Sequence, residues 1–151
     1  MNNARRSPYD QTQLARHGVA NVDFVNNLSA PVEYITEKCE VGDLVFTVNP
    51  NVLIPRVETE ELIALIVETI AKEIQNKSED EVISLADVGT GSGVIGISVI
   101  KELQKRFPGK NFELLLTDIS PDALAVAKNN VEALCEGFIN NISLQVSNLL
   151  E

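Results

Sequence analysis

Three features of this chain lead to the expectation of an α/β fold with a short parallel sheet. An apolar, β-branched run at residues 82–88 ends in glycines at alternate positions, Gly89, Gly91 and Gly93, and passes into a helix-like run at 94–106. Two more strand-like runs, at 112–117 and 142–146, each follow a helical pattern. Right-handed crossovers then set three parallel strands in the spatial order 3-2-1, with a site at the carboxyl ends of the first two.

Residues 1–10 are polar, contain Pro8 and show no periodicity, which predicts a mobile arm. Residues 11–28 carry a sparse apolar face, Leu14, Val22, Val25 and Leu28, enough for a weak helical segment that leans on the rest. Residues 31–48 are rich in β-branched and aromatic side chains around Gly42-Asp43, and predict two antiparallel strands joined at that pair. Asn49-Pro50-Asn51 breaks this pattern. Thr59 is a candidate N-cap, with Glu60 and Glu61 in the first turn and Ile63, Ile66, Val67, Ile70 and Ile74 forming a core-facing stripe.

The first strand of the sheet, at 82–88, is apolar enough for burial on both faces. Pro108-Gly109 ends the helix that follows it. Ser120-Pro121 provides an N-cap and a pre-organised first helical position for the next, whose inward face is Leu124, Ala127, Val131 and Leu134. In the last strand Ile142, Leu144 and Val146 alternate with polar residues, as suits a position nearer the sheet edge. The organisation expected is an N-terminal arm and short helical segment over 1–30, a β-hairpin over 31–50 and an α/β unit over 51–151.

Composition narrows the function. The chain has 151 residues, 44% of them hydrophobic, which suits one globular domain with a real core. No apolar run approaches the roughly 20 residues of a membrane span, and residues 1–6 lack a signal-like apolar region, so a cytoplasmic location is expected. A net charge of −10 argues against an electrostatic grip on nucleic acid. Cys39 and Cys135 are too few for a disulfide framework, no Cys/His cluster has metal spacing, and both read as reduced structural thiols. His17, the sole histidine, reads as a solvated side chain.

The glycine turn carries the chemistry. Alternate glycines permit positive φ and let the backbone approach a ligand, and the helix that follows aims unpaired N–H groups at that ligand. Gly91, Gly93 and Gly96 also satisfy the dinucleotide spacing G-x-G-x-x-G, so two cofactor classes compete. Asp87 tips the balance. A carboxylate two positions before the first glycine repels a pyrophosphate and attracts the α-ammonium of a methionine moiety, favouring S-adenosylmethionine. Asp118, at the end of the second strand, can accept both hydroxyls of an adenosyl ribose, a role that serves either class.

Four segments, PVEYIT at 31–36, VNPNVLIPRVETEELI at 48–63, LADVGTGSGVIGIS at 85–98 and TDISPDALAVAKNN at 117–130, together resemble the protein-(glutamine-N5) methyltransferases of the HemK type, which modify peptide chain release factors. The LIPR-ETE stretch is the most specific of them. The resemblance implies a Rossmann-like class I methyltransferase fold, S-adenosylmethionine as cofactor and a release factor as protein substrate. It makes Gly89, Thr90, Gly91, Ser92 and Gly93 the cofactor loop and Asp118 the ribose ligand. Asn148 and Leu149 take the positions beside the adenine, and Arg56, Glu58 and Thr59 belong to a motif near the active site, with helix initiation as their structural alternative.

Two departures accompany the resemblance. The Asn-Pro-Pro-Tyr motif that supplies the family's amide-hydrogen acceptors is absent, so no catalytic residue is assigned, and the family's N-terminal helical domain is largely missing. The expectation is a C-terminally truncated, cofactor-binding half that is inactive by itself and self-associates through the exposed edge of its first strand. The competing readings are an NAD(P)-dependent oxidoreductase and a non-catalytic interaction module.

Overall fold

The computed structural model describes residues 6–19, 30–78 and 80–148. Helix α1 (Pro8–Arg16) and the short helix α2 (Val32–Thr36) precede a hairpin of β1 (Lys38–Val41) and β2 (Leu44–Thr47). Then come α3 (Glu58–Ile74), β3 (Ile83–Val88), α4 (Val94–Arg106), β4 (Phe112–Asp118), α5 (Pro121–Leu134) and β5 (Ile142–Val146).

The expected sheet is present. β4 pairs in parallel with β3 on one side and β5 on the other, which is the order 3-2-1 in chain sequence. Because both crossovers step in the same direction across the sheet, right-handedness sets α4 and α5 on one face of it, and α4 packs on α3, α5 and the sheet. Phe112, Leu114 and Leu116 of β4 point into this layer and are buried. The expectation that the first strand is covered on both faces is corrected. In β3 only Ile83 is fully buried, while Ser84, Ala86 and Val88 alternate onto the face away from α4 and are exposed.

The hairpin is antiparallel, with Val41 opposite Leu44 and Gly42 at φ 55 in the first position of its two-residue turn, a place where glycine avoids the Cβ penalty of positive φ. It is shorter than expected. Val32, Tyr34 and Ile35 lie in α2, not in a strand: Pro31 starts the turn at φ −53, Thr36 Oγ1 donates back to the Val32 carbonyl at 3.0 Å, and Glu37 ends it in the left-handed region. The Tyr34 hydroxyl donates to the Val52 carbonyl at 2.7 Å, a tertiary bond that outweighs the β propensity of PVEYIT. Cys39, Val41, Phe46 and Val48 from the hairpin region join Val67, Ile97, Ile100, Leu103 and Leu116 in one core.

The N-terminal expectations change as well. Residues 8–10 are helical, not an arm, because Ser7 Oγ caps the Asp10 N–H at 3.1 Å and Pro8 opens the first turn. Leu14 is buried as expected, whereas Val22, Val25 and Leu28 lie outside the described residues. His17 is not a solvated side chain: it is 14% exposed, with Nε2 3.5 Å from Glu40 Oε1, and Arg16 pairs with the other oxygen of Glu40 at 2.5 Å.

Candidate functional site

The turn after β3 is fastened from two directions. From β4, the Thr117 carbonyl accepts the N–H groups of both Gly89 and Thr90 at 2.8 Å. Asp118 adds a side-chain bond, its Oδ2 accepting the Gly91 N–H at 2.9 Å while Oδ1 accepts from the Ser120 N–H at 2.9 Å. From beneath, Asp87 Oδ2 accepts the Thr90 hydroxyl at 2.8 Å and the Gly96 N–H at 2.9 Å. Two carboxylates thus hold the glycine backbone in place, and each retains lone pairs beyond the bonds named.

The glycines divide their roles. Gly89 and Gly91 sit at φ 75 and 55, and a Cβ on either would meet no atom within 4 Å, so they face open space. Gly93, at φ 82, is the N-cap of α4. Gly96 has an ordinary φ, but a Cβ there would lie 2.7 Å from Leu116 Cδ2 and 3.0 Å from Asp87 Oδ2, so its absence lets α4 settle on the sheet. The N-terminus of α4, with its positive dipole end, lies immediately beyond the turn.

Opposite the turn runs the segment after the hairpin. Asn49 Oδ1 accepts the Asn51 N–H at 2.9 Å, which forms the expected break, and Tyr34 fixes Val52. Arg56, Glu58 and Thr59 on this side and Gly89, Thr90, Gly91 and Ser92 on the other line one cavity of about 480 Å³. The two motifs singled out in the sequence are therefore brought together. Thr59 is not the N-cap of α3, however. The helix starts at Glu58, and Thr59 Oγ1 instead accepts the Arg56 N–H at 3.2 Å, reaching back to a group just ahead of the helix.

Of the remaining predicted residues, Asn148 follows β5 and is exposed, and Leu149 lies outside the described residues. Asp87 is engaged with its own turn through Oδ2. Sequence reasoning missed Asn130. This carboxamide on α5 is 1% exposed and bonds the turn at Ser92 and the hairpin at Thr47. Its signal was a polar residue at a helix position flanked by the inward-facing Ala127 and Val131. Both cysteines are free and buried, and burial together with Glu33, Glu40 and Glu60 pushes the Cys39 thiol up to about 11.

A family model described as lysine methyltransferase matches residues 59–149. The release factor glutamine methyltransferase of Clostridium acetobutylicum is 39% identical over 131 residues, covering 85% of this chain and 41% of that protein. The corresponding protein of Flavobacterium psychrophilum is 42% identical over 100 residues, covering 66% of this chain and 32% of its own length. The chain thus spans less than half the length of these relatives. Among solved structures, the N-terminal domain of human METTL16 in complex with SAH superposes with a TM-score of 0.51 at 16% identity, over 90% of this chain and 59% of that one. That likeness is one of fold. With residues 59–149 matched by the model, and a parallel sheet whose glycine turn is anchored by acids at the ends of two adjacent strands, the chain belongs to this methyltransferase family and carries the class I methyltransferase fold.

Proposed function

We propose that this chain binds S-adenosylmethionine over the turn from Gly89 to Gly93 and serves an enzyme that methylates the side-chain nitrogen of a glutamine in a peptide chain release factor. The observation that carries the reading is the cavity of about 480 Å³ that joins the glycine turn to Arg56, Glu58 and Thr59. The names of the Clostridium and Flavobacterium relatives support the acceptor.

The residues suit the group. Gly89 and Gly91 leave the backbone open to it, and Asp118, which already aligns Gly91, has lone pairs for the ribose hydroxyls. Asp87 supplies negative charge beneath the turn for an α-ammonium, and the family resemblance gives the adenine side to Asn148. When bound, the cofactor provides an activated methyl group. An amide nitrogen is a weak nucleophile because its lone pair is delocalised, so the protein's contribution is placement at about 3 to 3.5 Å from the methyl donor. Arg56, Glu58 and Thr59 form the rim on which that placement acts.

Calorimetric titration of S-adenosylhomocysteine and, in parallel, of NADH into the chain tests the cofactor. Binding of the first is expected, and NADH binding that excludes it would favour an oxidoreductase instead. The acceptor is tested with methyl-labelled S-adenosylmethionine and a release factor, using a full-length relative into which residues 48–148 of this chain are exchanged, since the chain alone is expected to be inactive. Label lost on replacing one glutamine supports the reading, whereas label recovered as methyl-lysine would transfer it to the acceptor in the family model's description.

A release-factor substrate implies a cytoplasmic location, and among the described residues no helix is long and apolar enough to cross a membrane. β3 is a terminal strand of the described sheet, and Val88 on it and Val82 just before it are exposed. Pairing of two copies through that edge is the self-association we propose, and sedimentation as a monomer at high concentration would refute it.

A further inference from the structure

The side chain of Asn130 is hydrogen-bonded to two separate parts of the fold. Its Oδ1 accepts the Thr47 N–H at 2.7 Å, and its Nδ2 donates to the Thr47 carbonyl at 2.9 Å and to the Ser92 carbonyl at 2.8 Å. Thr47 is the last residue of β2, and Ser92 lies in the glycine turn. Both donors and one lone pair of the carboxamide oxygen are therefore engaged with main-chain groups, in a place 1% exposed, where an unpaired polar atom is costly.

The geometry points to Asn130 as a positioning residue for the cofactor site, a role that rests on the function proposed above. Toward Thr47 the carboxamide behaves as a peptide group would, giving and taking one hydrogen bond at the end of a strand. Its second N–H extends that pairing to the glycine turn. The chain leaving Thr47 runs through residues 48–55, which Tyr34 also fixes at Val52, to the Arg56 and Thr59 rim of the cavity, so Asn130 ties the start of the segment that carries one wall to the turn that forms the other. Asn130 itself does not line the cavity, and it acts only through the backbones it holds.

Amide hydrogen exchange on the unmodified chain, with and without saturating S-adenosylhomocysteine, tests the link without any variant. Exchange of Thr47, which is not among the cavity-lining residues, should slow together with that of Gly91 and Gly93. Slowing at the glycines with Thr47 unchanged would overturn the positioning role alone. No slowing at the glycines would overturn the cofactor reading and, with it, this one. In Asn130→Asp the outline and the acceptor remain, but an ionised carboxylate donates to neither carbonyl. The dissociation constant for S-adenosylhomocysteine should rise about tenfold at pH 8, roughly one hydrogen bond's worth. Burial against two carbonyl oxygens disfavours the charged form of that carboxyl, so the gap should narrow as pH is lowered and protonation restores one donor. An unchanged affinity in the folded variant, or a gap indifferent to pH, would count against the role. If that variant does not fold, the exchange measurement on the unmodified chain decides.

Discussion

The N–H of Gly96, one turn into α4, donates to Asp87 Oδ2 at 2.9 Å, so the last strand residue but one before the turn is tied to the helix after it. A strand, a turn and a helix are thereby closed into one hydrogen-bonded loop. There is no room at this closure for a side chain.

Gly96→Ala tests that closure. The added methyl would meet Leu116 Cδ2 at 2.7 Å and crowd Asp87 Oδ2 at 3.0 Å. Overpacking of this kind costs about 1–3 kcal/mol, and urea denaturation should show the midpoint falling while the slope stays constant.

Asp118→Ala should weaken S-adenosylhomocysteine binding more than it weakens the fold. The change frees the Gly91 and Ser120 N–H groups and removes the acceptor assigned to the ribose. Calorimetry should register a loss of at least about tenfold in affinity, with Asp118→Asn losing less because one oxygen acceptor remains.

The Cys39 thiol is expected to be sluggish. With its pKa raised from 9.0 to about 11 by burial and by Glu33, Glu40 and Glu60, the folded state favours the protonated form. At pH 8 the thiolate fraction is about a hundredfold below that of a thiol titrating at 9, so alkylation by iodoacetamide should be slower by at least that factor until the chain is unfolded. Stability from this group is complete below pH 9 and is lost as pH rises through 11, and Cys39→Ala should flatten that decline.

Two serines offer a paired test of capping. Ser7 Oγ accepts from the Asp10 N–H at 3.1 Å and Ser120 Oγ from the Ala123 N–H at 3.2 Å, each followed by proline in the first helical turn. Alanine at either position should cost about 1 kcal/mol, read from thermal or urea unfolding.

That pair also shows what was legible in the chain. Ser120-Pro121 reads as a helix start because a strand precedes it and an apolar stripe follows. Ser7-Pro8 carries the same punctuation, but α1 buries little besides Leu14, and without a stripe the signal does not stand out from a polar arm. The parallel sheet and its order were open to sequence because strand and helix periods alternate cleanly from residue 58 onward. The α2 turn was not, since Val32, Tyr34 and Ile35 favour strands and only Pro31, Thr36 and the Tyr34 bond to Val52 make them helical. At the site, the glycines announced themselves through spacing. Asn130 did not, because its three partners are main-chain groups 38 and 83 residues away, and no local pattern encodes such distances.

The 83-residue separation between Thr47 and Asn130 has a kinetic meaning. During synthesis the small antiparallel ribbon emerges early, but the outward-facing groups at its last residue must stay with water until a helix made much later swings into place. Closing so long a span is slow relative to local steps. The ribbon should therefore mature late, and in pulse-labelled refolding the Thr47 amide should gain protection with the α5 amides, after those of the Val41 and Leu44 pair beside the turn.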